Sequence, residues 1–585
     1  MNFQLDELLT ILRLAKITIM QVSYNWLKQY VPFNLKVEDV AEILTNTGLE
    51  VEEFEAWESV KGGLKNVVIG EIVECTKHPD ADKLQVTKVN IGTGELLQIV
   101  CGAPNARVGV KSPVALVGAQ LFPVNATEAF IIKKSKIRGV ESFGMICAED
   151  ELGLGSSHAG IMELPNDVKI GTPAADYFNV ESDYIITIGL TPNRSDAFSH
   201  IGTARDLRAA LSAVYNVNLP FEIPNVEAKG TFKNPIEISV KNIEKSKRYT
   251  GIYIKNVTVK SSPQWLQNRL KAIGLKPINN IVDITNFVLN EFGQPLHAFD
   301  ADKISGGKII VQMVSENTKF ITLDNVERKL SAEDLMICDS EKPLCIAGVY
   351  GGLGSGVTNE TKNVFLESAF FDAISIRKTA QRHGLRTDAS QHYEKTTDIN
   401  ITLKAAHRAA LLIAELAGGE ISEATDVYPS VQENALVETS YSRINELAGT
   451  NLPKEKVNKI LEDLGIEISA NNDDLKLSVP TYKTEVTREA DIVEEILRIY
   501  GYNTVPMPKQ LKTSLSFSNK IDNLKWENIA ANYLVGAGYF EASTNSITQS
   551  KFETDKTLQE ETVRLLNSQT SELDALRTSM IYGLL

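Results

Sequence analysis

Paired cysteines are missing from this chain. The five that occur, Cys75, Cys101, Cys147, Cys338 and Cys345, are odd in number, widely spread and never at C-x-x-C spacing. That excludes a disulfide framework and a structural zinc site, and it favours a reducing, cytoplasmic setting. Long apolar runs are missing too. No stretch approaches the ~20 apolar residues that a membrane span needs, so no membrane partner is expected. The opening "MNFQLDELLTILRLAKITIM" carries Asp6, Glu7, Arg13 and Lys16 inside its apolar pattern. It lacks the basic start and the small-residue cleavage site of a signal peptide. Net positive charge is absent as well. The chain carries −15, which argues against a polyanionic partner for the molecule as a whole.

What is present is an ordinary globular composition, 43% apolar and 23% charged. The length exceeds one hydrophobic core, and about four domains are expected. Charge is unevenly distributed. Residues 61–154 are close to balanced while the remainder is acidic, and "IIKKSKIRG" gathers Lys133, Lys134, Lys136 and Arg138. A second cluster, "IRKTAQRHGLR", holds Arg377, Lys378, Arg382, His383 and Arg386. Each reads first as a solvated face. Two of them in an acidic chain also suit a polyanion such as tRNA.

Residues 23–60 read as a mixed α/β start, with apolar spacing in "SYNWLKQYV" and a helix in "KVEDVAEILTNTG". Residues 64–154 change to about five short β-rich runs separated by Gly, Pro, Asn and Asp, which predicts a small barrel of the OB type. A large α+β block follows over 230–425. Within it, "AGVYGGLGSGVT" lacks the G-K-[ST] of a phosphate loop and does not fit G-x-G-x-x-G. Its glycines turn the chain or let the backbone approach a ligand. Residues 440–480 predict two helices and a hairpin split by Asn and Asp, a compact helical unit with a β-wing. After 505 another α+β region begins, and the ending "LDALRTSMIYGLL" has no helix cap or polar tail.

Four polar residues of the large block stand in apolar company. Asn286 interrupts "DITNFVLN". His297, one of seven histidines, sits in "GQPLHAFD". Glu367 lies within "VFLESAFF", which otherwise reads as a buried strand, and Thr387 opens "TDAS". The plain reading of His297 is a satisfied core histidine, and that of Glu367 is an ion pair with a nearby arginine, since an unpaired buried carboxylate is costly. The functional reading makes Glu367 a pocket carboxylate that reads a hydroxyl or amine, with His297 orienting a water. A further feature is "EVTREADIVEEILRIYGY". There Asp491, Glu494 and Glu495 follow i, i+3, i+4 spacing with Glu485 upstream, a pattern that is either a solvated acidic face or a set of oxygen ligands suited to Mg²⁺.

Six blocks, "SYNWLKQYV", "HPDADKLQVTKVNIG", "LTPNRSDAFSHIGTARDL", "DITNFVLNEFGQPLHAFD", "GLRTDAS" and "ADIVEEILRIYGYNTVP", together closely resemble the beta subunit of bacterial phenylalanyl-tRNA synthetase. They occur in the family's order over roughly residues 20–585. The resemblance implies an α+β multidomain chain. An OB-type tRNA-binding barrel (61–154) is inserted into an N-terminal α+β domain (20–60 and 155–210). An editing domain (211–431), a winged-helix-like domain (432–505) and a partial class II synthetase-like domain (506–585) follow. Residues 1–19 then read as an extension. Family members continue through the rest of the catalytic-like domain to an anticodon-binding domain, so a C-terminally truncated chain is expected.

The resemblance also implies partners and roles. An alpha subunit uses ATP to charge tRNA(Phe) within an (αβ)₂ heterotetramer, while the beta subunit hydrolyses misacylated Tyr-tRNA(Phe). The family's catalytic positions fall on His297, Asn286 and Glu367, and its editing-pocket wall on Gly351, Thr387 and Ala389. The Mg²⁺ ligands shared with the alpha subunit fall on Glu485, Asp491, Glu494 and Glu495. The family usually has Asp where this chain has Glu485. tRNA contacts are expected at Lys133, Lys134, Lys136 and Arg138. A scaffold subunit that binds tRNA without catalysis is the competing expectation.

Overall fold

The computed structural model describes residues 18–124, 128–224, 226–507, 509–510, 513–514 and 522–585. The chain divides into two compact units, Met1–Pro506 and Met507–Leu585. In the first unit, strand Ser182–Leu190 is the centre of a three-stranded antiparallel sheet between Thr18–Ser23 and Glu50–Glu58. Ser23 ends its strand and caps the next helix, Tyr24–Tyr30, by accepting from the Trp26 N–H at 3.0 Å. Helix Val37–Asn46 buries Val37, Val40, Ala41 and Leu44, an i, i+3, i+4, i+7 stripe. Thr18 and Ile19 pair with Leu190 and Gly189. Those two residues of the expected extension are therefore sheet, while residues 1–17 lie outside the described residues.

Between the second and third strands of that sheet in chain order runs a nearly closed five-stranded barrel. Its order is Gly144–Ile146, Lys111–Leu116, Val67–His78, Ala81–Asn90, Leu96–Cys101. The Phe143 N–H donates to the Gln98 carbonyl at 2.9 Å and draws the two edges together. The boundary expected at 154 moves. Met162, Leu164, Val168, Ala174 and Phe178 pack on the barrel's core, and Thr172 accepts from the Ile69 N–H at 2.9 Å. The stretch from about 161 to 178 continues the barrel because its apolar side chains find cover there.

Residues 237–427 form two sheets. One runs Leu296–Asp300, Val364–Phe370, Arg248–Lys255 and Glu420–Ile421, with Thr425–Val427 also on Arg248–Lys255. The other runs Glu237–Val240, Lys308–Met313, Leu335–Cys338, Pro343–Ile346 and Tyr350–Gly351. Strand Val364–Phe370 is buried along its whole length, because its two faces serve two cores. Val364 and Leu366 join a core with helices Asn280–Phe292 and Thr402–Ala417. Phe365 and Ala369 join a core with Ile309, Val311, Met336 and Ile346 of the second sheet. The first of these cores also contains Trp26, Leu27 and Ile186, so the N-terminal sheet and this block share one interior.

Strands Ala435–Ser440, Asp474–Val479 and Glu467–Asn471 make a small antiparallel sheet flanked by helices Tyr441–Ala448, Lys454–Asp463 and Glu489–Tyr500. In the second unit, helix Asn523–Gly536 buries none of its residues, and strand Ile547–Thr548 pairs with Ala575–Leu576. No helix among the described residues is long and apolar enough to cross a membrane.

Candidate functional site

Strand alternation places the key side chains. Leu296–Asp300 pairs antiparallel with Val364–Phe370 so that His297 stands directly opposite Glu367. Both share the face of Phe299 and Phe365, toward the second sheet. The helix before this strand, Asn280–Phe292, is capped by Asn279, whose side chain accepts from the Ile281 and Val282 N–H groups. It ends at left-handed Gly293 (φ 78°), the conformation that glycine adopts without strain and that turns the chain into the strand.

Glu367 is 4% exposed, and Tyr249 donates to its Oε2 at 3.0 Å. No cation offsets its burial, so the carboxyl is pushed up to about 8, with the Tyr249 hydrogen bond acting weakly in the other direction. The arginine partner of the plain reading is absent among the described residues. His297 as a residue is half-buried, but its Nε2 is sealed from solvent and has no hydrogen-bond partner. Burial lowers its pKa to about 4, so it is a neutral imidazole at neutral pH.

Gly351 closes on this pair from the second sheet. A Cβ built there would stand 3.2 Å from the His297 Cε1 and 2.9 Å from the Leu323 Cδ1. Thr387 caps helix Asp388–Tyr393 and donates to the carbonyl of Val349 at 2.9 Å, tying "TDAS" to the glycine-rich turn. Ala389 packs on the same core as Tyr350, Phe371 and Tyr393. Asn286 is half-buried in mid-helix, where its carbonyl accepts from Asn290 at 2.8 Å. The structure thus gathers His297, Glu367 and Gly351 and braces them through Thr387. Tyr249 was not singled out from the sequence. It lies 118 residues from Glu367, and only its strand alternation hints at its direction.

The burial of Glu367 has a consequence for stability. Below pH 4.5 the carboxyl is protonated whether the chain is folded or not, and it costs nothing. Between 4.5 and about 8 the unfolded chain releases the proton while the folded one keeps it, so stability falls as pH rises, toward a limit of about 5 kcal/mol. Glu367→Gln is therefore expected to leave hydrogen-exchange protection of Val364–Phe370 unchanged at pH 4.5 and to raise it progressively toward pH 8.

The four expected Mg²⁺ ligands line one cavity of about 190 Å³, but they are not equivalent. Glu485 and Glu494 are exposed. Asp491 accepts from the backbone N–H groups of Thr487 and Arg488 and pairs with the Arg488 guanidinium at 2.9 Å. Glu495 turns inward, with both oxygens held by Arg498 and one also by Lys483 at 2.6 Å. Burial alone would raise its pKa, but Arg498 and Lys483 hold it below the ordinary carboxylate range. Helical spacing puts Asp491, Glu494 and Glu495 near one another, yet Glu495 already serves two cations. Among the described residues no three His, Cys, Asp or Glu are gathered as a metal-binding group; with Glu495 paired to Arg498 and Lys483, the carboxylates left toward the cavity are those of Glu485, Asp491 and Glu494.

The basic stretch forms a hairpin, Ser135–Ile137 with Val140–Ser142, joined by left-handed Arg138 and Gly139. Lys134 pairs with Glu141 at 3.0 Å and lies over the Phe143 ring, and Arg138 donates to the Asp80 carbonyl at 3.2 Å. Lys133 and Lys136 are exposed, with no ion-pair partner among the described residues. The second basic cluster is partly internal, since Arg382 and His383 both hold the buried carboxylate of Asp334.

One compact unit thus holds a barrel with a basic hairpin and a two-sheet block that encloses a buried carboxyl with no cation beside it. Known families match in the same order: a tRNA binding domain over 67–173, the B3/4 domain over 245–418, the tRNA synthetase B5 domain over 437–502, and the phenylalanyl tRNA synthetase beta chain CLM domain over 508–585. The phenylalanine–tRNA ligase beta subunit of Bacteroides fragilis is 48% identical over 572 residues, covering 96% of this chain and 69% of the relative. That of Porphyromonas gingivalis is 48% identical over 577 residues with the same coverage, and that of Fusobacterium nucleatum is 40% identical over 97% of this chain and 69% of the relative. The chain belongs to the phenylalanine–tRNA ligase beta subunit family.

Proposed function

We propose that this chain works as the beta subunit of a phenylalanine–tRNA ligase and that its B3/4 region hydrolyses Tyr-tRNA(Phe) made in error. The carrying observation is Glu367, a buried carboxyl with one oxygen bound by Tyr249 and no cation beside it. A tyrosyl hydroxyl satisfies the other oxygen of such a group, whereas phenylalanine leaves that oxygen desolvated and unpaired. Sites built to bind a hydroxyl discriminate on this ground by about 10⁴ or more. His297 lies across the strand pair, and its pKa near 4 makes it a weak base. Its role is positional, as is that of Asn286: holding the ester or the attacking water. Gly351, Thr387 and Ala389 wall the pocket.

The barrel with Lys133, Lys134, Lys136 and Arg138 is the tRNA-binding part in this reading. ATP is used at the alpha subunit's site. The exposed Trp526, Tyr533 and Phe540 of the second unit fit docking against the alpha subunit in an (αβ)₂ assembly, and five free cysteines fit a cytoplasmic setting. The test is single-turnover hydrolysis of Tyr-tRNA(Phe) by the chain together with the alpha subunit. Release of tyrosine well above the rate for Phe-tRNA(Phe) is expected, and hydrolysis no faster than background overturns the reading in favour of a scaffold.

A further inference from the structure

We propose that Tyr249 is a specificity-determining residue of the editing pocket, its hydroxyl fixing which oxygen of Glu367 is left for the hydroxyl of a ligand. The proposal rests on the reading of Glu367 given above. In the sheet, Glu367 has His297 opposite it on one side and Gly251 on the other. Gly251 offers no side chain, and a Cβ there would stand 2.4 Å from the Phe365 ring. The donor therefore comes from the diagonal position. Tyr249, paired with Ala369, lies two residues along the same face and reaches Oε2 at 3.0 Å. It is wholly buried, and its ring packs in the core with Phe299 and Phe365, so the hydroxyl is held in place from behind.

The charged and titratable groups around Glu367 leave no alternative donor. Tyr393 gives its hydroxyl to the carbonyl of Ala369 at 3.0 Å. Cys345 turns its thiol to the carbonyl of Tyr350 at 3.3 Å. Burial pushes both of these groups up, so they are neutral, and His297 is neutral as well. Among the described residues, Tyr249 is the one side chain that donates to the carboxyl. It binds as the tyrosine of a mischarged tRNA would, phenol to carboxyl. The pocket thus takes two phenols on one carboxyl, its own on Oε2 and the ligand's on Oε1. Phenylalanine leaves only Oε1 unpaired, so Tyr249 sets how large the discrimination is and toward which oxygen the ring must point. The ligand class that follows is an aromatic aminoacyl ester whose ring carries a hydroxyl able to pair with the free oxygen of the carboxyl.

The experiment compares the unaltered chain with Tyr249→Phe, each with the alpha subunit, in hydrolysis of Tyr-tRNA(Phe) between pH 6 and 9. Removing a hydrogen bond to an ionisable group is expected to lower kcat/KM on Tyr-tRNA(Phe) by about tenfold or more, chiefly through KM. Because the hydroxyl lowers the pKa of the carboxyl, the pH limb set by Glu367 is expected to move upward. Tyr393→Phe, which removes a buried hydroxyl bound to backbone, is the control and leaves the limb in place. An unchanged KM and an unmoved limb in Tyr249→Phe overturn the proposal, as does a rate loss that follows thermal stability alone. An unaltered chain that fails to hydrolyse Tyr-tRNA(Phe) overturns the functional reading, and this inference with it.

Discussion

Glu367→Ala is expected to bring hydrolysis of Tyr-tRNA(Phe) and Phe-tRNA(Phe) to within about tenfold of each other, against the separation of about 10⁴ expected of a site that binds a ring hydroxyl. The substitution removes the acceptor for a tyrosyl hydroxyl and, at the same time, the buried carboxyl that phenylalanine leaves unpaired. It also leaves the Tyr249 hydroxyl without its partner, so the cavity made is polar on one wall. Loss of the acceptor works against tyrosine, and loss of the unpaired carboxyl works in favour of phenylalanine, so the two rates converge. The measurement is the ratio of single-turnover rates on the two charged tRNAs. Selectivity preserved in Glu367→Ala would remove Glu367 from the reading of the ring hydroxyl.

Arg498→Met is expected to destabilise the first unit by ~3–5 kcal/mol. Arg498 is the hub of a buried network in which three cations alternate with three carboxylates. It binds Glu495 through two nitrogens at 2.7 Å and Asp206 at 2.9 Å. Arg194 pairs with Asp206 and with Asp196 at 2.9 Å, and Lys483 closes the circuit to Asp196 at 3.0 Å and to Glu495 at 2.6 Å. Removing the hub leaves Asp206 and Glu495 short of charge in a place that water does not reach. The comparison is Arg488→Met, which removes the exposed pair with Asp491 and is expected to leave stability unchanged. Hydrogen-exchange protection along Glu489–Tyr500 and His200–Tyr215 separates the two outcomes, and equal behaviour of the two variants would sink the argument.

The two variants mark where sequence reasoning reached and where it stopped. Glu367 was legible because a charged residue inside "VFLESAFF" breaks an apolar strand, and a break of that kind calls for a reason. Its actual partner was not legible. The choice between an arginine and Tyr249 depends on the order of strands Leu296–Asp300, Val364–Phe370 and Arg248–Lys255 in one sheet, and strand order is not a property of any one strand. Glu495 went the other way. The i, i+3, i+4 pattern correctly implies a helix, yet it says nothing of Lys483, which reaches the carboxylate from outside that helix. The cation decides that Glu495 faces inward.

By itself the sequence determined the kinds of part. The β-rich run became a nearly closed barrel, the Asn-Asp break became a hairpin turn, and the run of six family blocks placed the chain in its family. Local patterns suffice for these, because turn residues, alternation and helical periodicity act over a few neighbours. Tertiary structure alone decided three things: that His297 stands across from Glu367, that residues near 161–178 belong with the barrel, and that Glu495 is an ion-pair residue. Each of these depends on groups far apart in the chain being buried together. Burial is what makes an unpaired charge or an uncovered apolar side chain costly enough to choose its partner.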